Sequence, residues 1–358
     1  TGSAYLFDTT TGTQSAKLTA SDAAANDWFG LSVGISGTTA IVGAYRNDDN
    51  GSNSGSAYLF DTNTGVQTAK LTASDGATND HFGLVVGISG TTAIVAATND
   101  DDNGTDSGSA YLFDTTTGAQ IAKLTASDGA AEDDFGVSVA ISGTTAIVGA
   151  LDDDDNGTDS GSAYLFDTTT GTQIAKLTAS DGAANDKFGS RVAISGTTAI
   201  VGAVWDNDNG TDSGSAYLFD TTTGNQLFKL TASDGAANDL FGISVAISGT
   251  TAIVGAYGDD DNGIFSGSTY LFDTTTGAQL AKLTASDGAA NDNFGLSVAI
   301  FDDIIMVGAT GNEDNGSKSG SAYISSVFAA TVPLPAGVWL LLSGALALGW
   351  VRRKSARA

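Results

Sequence analysis

Cysteine is missing from this chain, proline nearly so, and bases are scarce. Its 358 residues hold no Cys, two Pro, one His and 14 Lys or Arg against 41 Asp or Glu. Without Cys there is no disulfide framework, no thiol nucleophile and no thiolate metal site, which suits an intracellular protein or a bacterial exported one. With His81 alone, no Ser/His/Asp set can recur and no His-based metal cluster can form. No Gly-rich loop of the phosphate-cradling kind follows a strand. Four of the 14 bases, Arg352, Arg353, Lys354 and Arg357, lie at the C-terminus, so ten bases face 41 acids elsewhere and the net charge is −27. Such a surface repels nucleic acid and anionic lipid and attracts cations and basic partners. The same charge also serves plain solubility.

What is present is a repeat. Gly-Ser-Ala-Tyr-Leu-Phe-Asp begins at Gly2 and returns at Gly55, Gly108, Gly161 and Gly214; it comes back at Gly267 with Thr269 for Ala, and decays at Gly320, a period of 53 residues. A period of that length with several strands in it means a circular or stacked array. In one unit, Phe135–Ile141 alternates and is rich in β-branched residues, so it reads as a strand. Ser142–Thr145 is a turn, and Ala146–Ala150 is a short apolar run read as a buried strand. Ser162–Phe166 and Gln173–Thr178 supply a third and a fourth, joined by a turn at Gly171. Four short antiparallel strands per repeat predict an all-β fold, a β-propeller of four-stranded blades over residues 1–327. Lys17 and its copies Lys70, Lys123, Lys176, Lys229 and Lys282 fall on the fourth, outer strand and read as charges that blunt a sheet edge. Phe-Gly opens a blade six times, from Phe29 to Phe294. The strand count is two, then five full blades, then three. Six blades closed by pairing of the terminal strands, or seven completed by residues upstream of Thr1, both follow. The start inside a repeat, without Met, leads us to expect an upstream part with a signal peptide.

The acids sit in two loops that connectivity puts on one face of each blade. The link between blades carries Asp22/Asp27 and their copies. The loop between second and third strands carries runs such as Asp152-Asp153-Asp154-Asp155-Asn156-Gly157. The other face is Ser/Thr/Gly-rich and reads as nearly neutral. Asp152-x-Asp154-x-Asn156-Gly157 matches the start of an EF-hand loop, but Ala163 stands where the twelfth-position ligand belongs. The candidate calcium ligands are Asp100, Asp102, Asp152, Asp154, Asn156, Asp206, Asp208, Asp259 and Asp261, calcium being oxygen-seeking. Asx-turns and Asn-Gly turns explain the same residues without metal. On the same face are positions that differ from repeat to repeat. Trp28, Tyr45, Arg46, His81, Trp205 and Tyr257 occupy them and form the candidate binding face, since Trp, Tyr and Arg dominate hot spots; drift in loops is the competing account.

Phe-Gly, six times, followed in most copies by Val-Ala-Ile, Ile-Val-Gly-Ala and Gly-Ser-Ala-Tyr-Leu-Phe over residues 2–327, resembles the FG-GAP repeat of integrin-α-type propellers, most of all the bacterial members. That resemblance implies a seven-bladed propeller used in extracellular adhesion or ligand binding. The family's calcium loop, between first and second strands, does not carry over: Ser36-Gly37-Thr38-Thr39 and its copies hold no carboxylate there, except Asp302-Asp303 in the last repeat. The Pro after Gly-Ala is also lost, to Tyr45, Thr98, Leu151, Val204, Tyr257 and Thr310.

The C-terminal segment reads differently. Residues 328–335 form a linker that holds the start of Val332-Pro333-Leu334-Pro335-Ala336. The uncharged run 336–351 has Trp339 and Trp350 near its ends, and residues 352–358 are basic. As a helix the run spans about 24 Å, short of a hydrocarbon core of about 30 Å; it reads as a C-terminal transmembrane helix with a cytoplasmic basic tail. Val332, Pro333, Leu334, Pro335, Ala336, the apolar run and Arg352, Arg353, Lys354 resemble a PEP-CTERM sorting signal of the VPLPA type. The resemblance implies export in a Gram-negative bacterium, transient anchoring in the inner membrane, and processing by an exosortase-type peptidase. The functional expectation is an exported, cell-surface or biofilm-matrix binding module without catalytic activity. It would take an extracellular protein or polysaccharide ligand, with Ca2+ as the one candidate cofactor and no nucleic-acid partner. A structural matrix protein with no specific ligand is the alternative. A polysaccharide-acting enzyme ranks lower: acids that recur in copies do not make the single constellation an active site needs.

Overall fold

A computed structural model describes residues 2–8, 11–314 and 316–327. The segment expected to span the membrane, its linker and the whole sorting signal lie outside those residues. Among the described residues, no helix is long and apolar enough to cross a membrane.

Among the described residues, twenty-five strands build seven antiparallel sheets. The first pairs β1 (Ala4–Phe7) with β2 (Gln14–Leu18). Five four-stranded sheets follow: β3 (Val33–Ser36), β4 (Thr39–Ala44), β5 (Ser56–Asp61), β6 (Gln67–Leu71); β7 (Val86–Ser89), β8 (Thr92–Ala97), β9 (Ser109–Asp114), β10 (Gln120–Leu124); β11 (Phe135–Ser142), β12 (Thr145–Ala150), β13 (Ser162–Asp167), β14 (Gln173–Leu177); β15 (Phe188–Ser195), β16 (Thr198–Ala203), β17 (Ser215–Asp220), β18 (Gln226–Leu230); and β19 (Ser244–Ser248), β20 (Thr251–Ala256), β21 (Ser268–Asp273), β22 (Gln279–Leu283). The last joins β23 (Phe294–Phe301), β24 (Ile304–Ala309) and β25 (Ser321–Ser326). Strands follow one another in sequence order within every sheet, and the first strands of successive sheets lie together, the arrangement of propeller blades. Of the two closures the sequence leaves open, pairing of the terminal strands is not seen: β1–β2 and β23–β25 are separate sheets, and among the described residues no ladder joins them.

The core lies between sheets rather than within one. Ile147, Leu165 and Leu177 of one sheet close on Phe188, Val192, Val201, Tyr217 and Phe219 of the next. Phe188 meets Tyr217 at 5.5 Å and Phe219 at 5.8 Å, both edge-on, and every junction between full sheets repeats the motif. Val139 and Val192 are accordingly 8% and 7% exposed, whereas Val33, their copy in the first full sheet, is 58% exposed, because only β1 and β2 cover that face. Phe301 and Ile324 are exposed in the same way on the far side of the last sheet.

Sheets approach closely where glycine permits it. Gly161 has φ 81°, and a Cβ there would lie 2.0 Å from the carbonyl oxygen of Phe188. Its copies Gly55, Gly108, Gly214 and Gly267 meet the next sheet's Phe in the same way. Gly143, in a surface turn with φ 56°, has open space around its Cβ position. Gly161→Ala is therefore expected to lower unfolding free energy by at least about 2 kcal/mol. Gly143→Ala should cost only about 1 kcal/mol, for backbone strain alone. Urea denaturation of the two variants checks the ranking.

Candidate functional site

The two acidic loops do meet on one face. Backbone bonds join the β13 side of one loop to the link that follows: Asn185 N donates to Thr158 O (2.8 Å), Lys187 N to Asp159 O (3.2 Å) and Phe188 N to Ser160 O (3.0 Å). The opposite face is less neutral than its composition suggests. Asp61, Asp114, Asp167, Asp220 and Asp273 each cap a turn there, as when Asp167 Oδ1 accepts from Thr169 N at 2.8 Å.

In each full sheet a group of the repeated carboxylates gathers around lysine. Register puts Lys123 of β10 opposite Tyr111 of β9, and its ammonium lies over the tyrosine ring, 5.3 Å from the centroid. It reaches Asp75 at 2.8 Å and Asp100 at 3.0 Å, and also Asp102. The Tyr111 hydroxyl donates toward Asp75 (3.0 Å) and Asp100 (2.9 Å). Asp100 is only 3% exposed, and accepts further from Ser109 Oγ and Asp102 N. The same cage forms around Lys176 with Asp128, Asp153 and Asp155, around Lys229 with Asp181, Asp206 and Asp208, and around Lys282 with Asp234, Asp259 and Asp261. In the first full sheet Asn47 replaces the buried aspartate, and Lys70 pairs with Asp22 and Asp49. Burial works against each ammonium, but hydrogen bonds to the carboxylates outweigh it and hold these lysines above the ordinary lysine range. Burial likewise opposes ionised Asp75, Asp128, Asp181 and Asp234's neighbour Asp259, yet their lysines keep them below the usual carboxylate range.

These lysines were expected to blunt a sheet edge. Five of the six do not point outward: the side chains of Lys70, Lys123, Lys176, Lys229 and Lys282 are 17–21% exposed and close the acidic loops over the tyrosines, whereas Lys17 on β2 is exposed, as an edge charge would be. Tyr58, Tyr111, Tyr164, Tyr217 and Tyr270 are all fully buried partners that composition gave no reason to single out. The signal was in the spacing, since each lysine lies 23 residues after the buried loop aspartate and 48 after the link aspartate.

Asp75/Asp100/Asp102, Asp128/Asp153/Asp155 and Asp234/Asp259/Asp261 each bring carboxylate oxygens within 4.8 Å of one another, and such groups could hold a divalent cation. Of the candidate calcium ligands, Asp100, Asp102, Asp259 and Asp261 fall in these groups, and Asp206 and Asp208 surround Lys229. In the third repeat the group is built from Asp153 and Asp155. Asp152 turns instead to Lys187, Asp154 Oδ1 accepts from Asp159 N (2.8 Å), and Asn156 N donates to Ser160 Oγ (3.0 Å). The EF-hand-like register is thus one residue out of step with the fold.

The non-repeating residues form a second assembly on the same face. Trp28 stacks near Tyr45 (6.1 Å), and Tyr45 near His81 (5.4 Å). Arg46 lies 5.3 Å from the ring centres of both Trp28 and Tyr45. His81 Nδ1 is 2.8 Å from Asn99 Oδ1, and Asn99 Nδ2 donates to Asp106 at 2.7 Å. Burial, then Asp152 and Asp106, push the Asp134 carboxyl up to about 6. Asp152 and Asp159 hold Lys187, whose ammonium sits 5.4 Å from the Trp205 ring centre. Tyr257 packs on Phe265 at 6.2 Å, the start of the next stretch. Trp28 and Trp205 remain 50% and 43% exposed. Trp28, Tyr45, Arg46, His81 and Trp205 therefore lie in one belt that passes from sheet to sheet, and Tyr257 occupies the corresponding place on a later sheet, paired with Phe265.

The chain matches the FG-GAP repeat family over residues 13–60, 66–113, 119–166, 172–219, 225–272 and 278–325. Each matched unit runs from the fourth strand of one sheet to the third of the next. No curated protein matches the sequence. Among solved structures the computationally designed Ika8 protein is similar, with TM-score 0.54 and 15% identity, covering 88% of this chain and 75% of that one. Likeness at that identity speaks for the fold alone.

Removing one cage cation should leave a buried carboxylate without a counter-charge. Lys123→Met is expected to destabilise by about 3–5 kcal/mol. Adding Asp100→Asn should recover much of that loss, because Asn312 fills the same buried place in the last sheet, whose lysine position in the sequence is Pro335. Chemical denaturation of the two single variants and the double variant reads the coupling.

Stability should also follow pH with a defined sign. Burial raises Asp134 and Asp239 to about 6 in the folded protein. Their ionisation therefore opposes folding, and the melting temperature should fall as pH rises from about 4 through 6. The lowered cage carboxylates act oppositely: their stabilisation is present above the unfolded value near 3.8 and is lost as pH falls below it. Calorimetry from about pH 2 to 7 should show a maximum near pH 4, and Asp134→Asn should flatten its neutral side.

Proposed function

The chain belongs to the FG-GAP repeat family, and from that footing we propose that it is a binding module working at a bacterial cell surface or in its matrix. The architecture is non-catalytic: it is a repeat scaffold whose acids recur in copies and are absorbed by lysine. One observation carries the binding reading. The two positions that vary most, the residue before Phe-Gly and the pair after Gly-Ala, meet in the belt from Trp28 to Trp205, while departures such as Val66, Arg191 and Phe228 lie elsewhere. Drift would place unrelated side chains at these positions without bringing aromatic and basic groups into register across sheets.

Calcium has a restricted place in this proposal. A cation entering an Asp-only group must displace an ammonium already hydrogen-bonded to the same carboxylates. We take the lysines as the resident cations and adhesion as independent of calcium. Export, anchoring through 336–351 and removal of the tail by an exosortase-type peptidase complete the proposal. They rest on the order Val-Pro-Leu-Pro-Ala, apolar run and Arg-Arg-Lys in the sequence.

Attachment of cells that display the full chain tests it. Trp28→Ala with Trp205→Ala should abolish attachment while leaving the melting temperature unchanged. Thr144→Ala with Thr169→Ala, on the opposite face, should leave attachment intact. Deleting 332–358 should release the protein to the medium. Attachment unaffected by both pairs would point to the structural matrix role instead.

A further inference from the structure

The six residues that precede Phe-Gly share one backbone conformation and no chemistry. Trp28, His81, Asp134, Lys187, Leu240 and Asn293 all have φ between 53° and 58°. That left-handed region suits Gly, Asn or Asp and is an outlier for bulky side chains. A scaffold choosing for stability would place Asn at every copy, as it does at Asn293. Trp, His, Lys and Leu hold the conformation against preference, so their side chains are not explained by the fold.

Two features of the belt indicate what it meets. The first is charge. Arg46 rests between the Trp28 and Tyr45 rings, exposed, and among the described residues it has no carboxylate within ion-pair distance. Six of the ten bases among the described residues, Lys70, Lys123, Lys176, Lys187, Lys229 and Lys282, are ion-paired; Lys17, Arg191 and Lys318 are not, but of the four unpaired bases Arg46 alone rests between two aromatic rings of the belt. The guanidinium is pre-oriented by two aromatic faces, with its N–H fork left for a planar anion. Beyond it come Asp106, Asp134 and Asp152, set against one ammonium, Lys187, and on a later sheet the aromatic pair Tyr257 and Phe265. The second feature is asymmetry. A periodic polymer offers equivalent units to equivalent positions, and six different side-chain sets cannot give those units the same contact.

We infer, resting on the binding reading above, that the belt recognises a protein segment without internal repetition, one that presents a carboxylate to Arg46 and a basic side chain to the Asp106–Asp134–Asp152 stretch. Trp28 supplies the apolar contact beside the ion pair, and the flanking acids exclude a densely charged polyanion.

The probe is a phage-displayed library of random dodecapeptides panned on the immobilised full chain. Circular dichroism melts confirm that Arg46→Glu and Trp28→Ala stay folded. Enriched peptides should carry Asp or Glu near Lys or Arg, and should lose at least about tenfold in affinity on either variant. Reversing the peptide's acid to Lys should restore binding to Arg46→Glu. Enriched peptides that bind both variants like the wild type would overturn the inference. So would oligomers of a single sugar, mannuronate or xylose, that bind through Trp28 and Arg46; that outcome would leave the belt as the binding site. If neither peptide nor glycan binding depends on the belt, the inference and the binding reading fall together.

Discussion

A carboxylate buried in a sheet needs a cation, and much of this protein is arranged around that demand. Asp100, Asp153, Asp206 and Asp259 lie beneath the acidic loops, nearly out of water. An isolated ionised carboxylate there would be costly to desolvate. The lysine of the fourth strand answers it, and the tyrosine of the third strand offers both a hydrogen bond and a ring face. Because the link aspartate belongs to the same cage, the lysine also pins the connection between neighbouring sheets.

The cage and the sheet-to-sheet core divide the work. Apolar contact between Phe188, Tyr217 and Phe219 and the preceding sheet supplies most of the burial, and glycines such as Gly161 set how closely sheets approach. Both are repeated almost unchanged, as expected when each unit is stable only against its neighbours. With the scaffold over-determined in this way, the residue before Phe-Gly is free to vary even in a strained conformation. The belt exists because the rest of each repeat can carry it.

The strands were legible because alternation and turn residues act locally. Phe135–Ser142 and Ala146–Ala150 form as their patterns require, and five sheets of four strands stand between partial ones as counted. The acidic face was legible too, since connectivity alone decides which loops share an end. What composition concealed was pairing at a distance. A lysine on an outer strand looks like an edge charge until register sets it opposite a tyrosine and folds it over acids 23 and 48 residues away. The Asp152-x-Asp154-x-Asn156 spacing misled for a related reason: the loop's hydrogen bonds bury Asp153 instead. The last repeat held the corrective clue, because the buried aspartate becomes Asn312 where the lysine position becomes Pro335.

The central claim is that lysine, not metal, neutralises the repeated carboxylates. Nitrogen-15 NMR of the lysine side chains in the full chain tests it most directly. The account predicts slowly exchanging ammonium signals at neutral pH from Lys70, Lys123, Lys176, Lys229 and Lys282, unchanged by millimolar calcium. Ammonium groups that exchange freely without metal, or that are released to solvent when calcium is added, would contradict it.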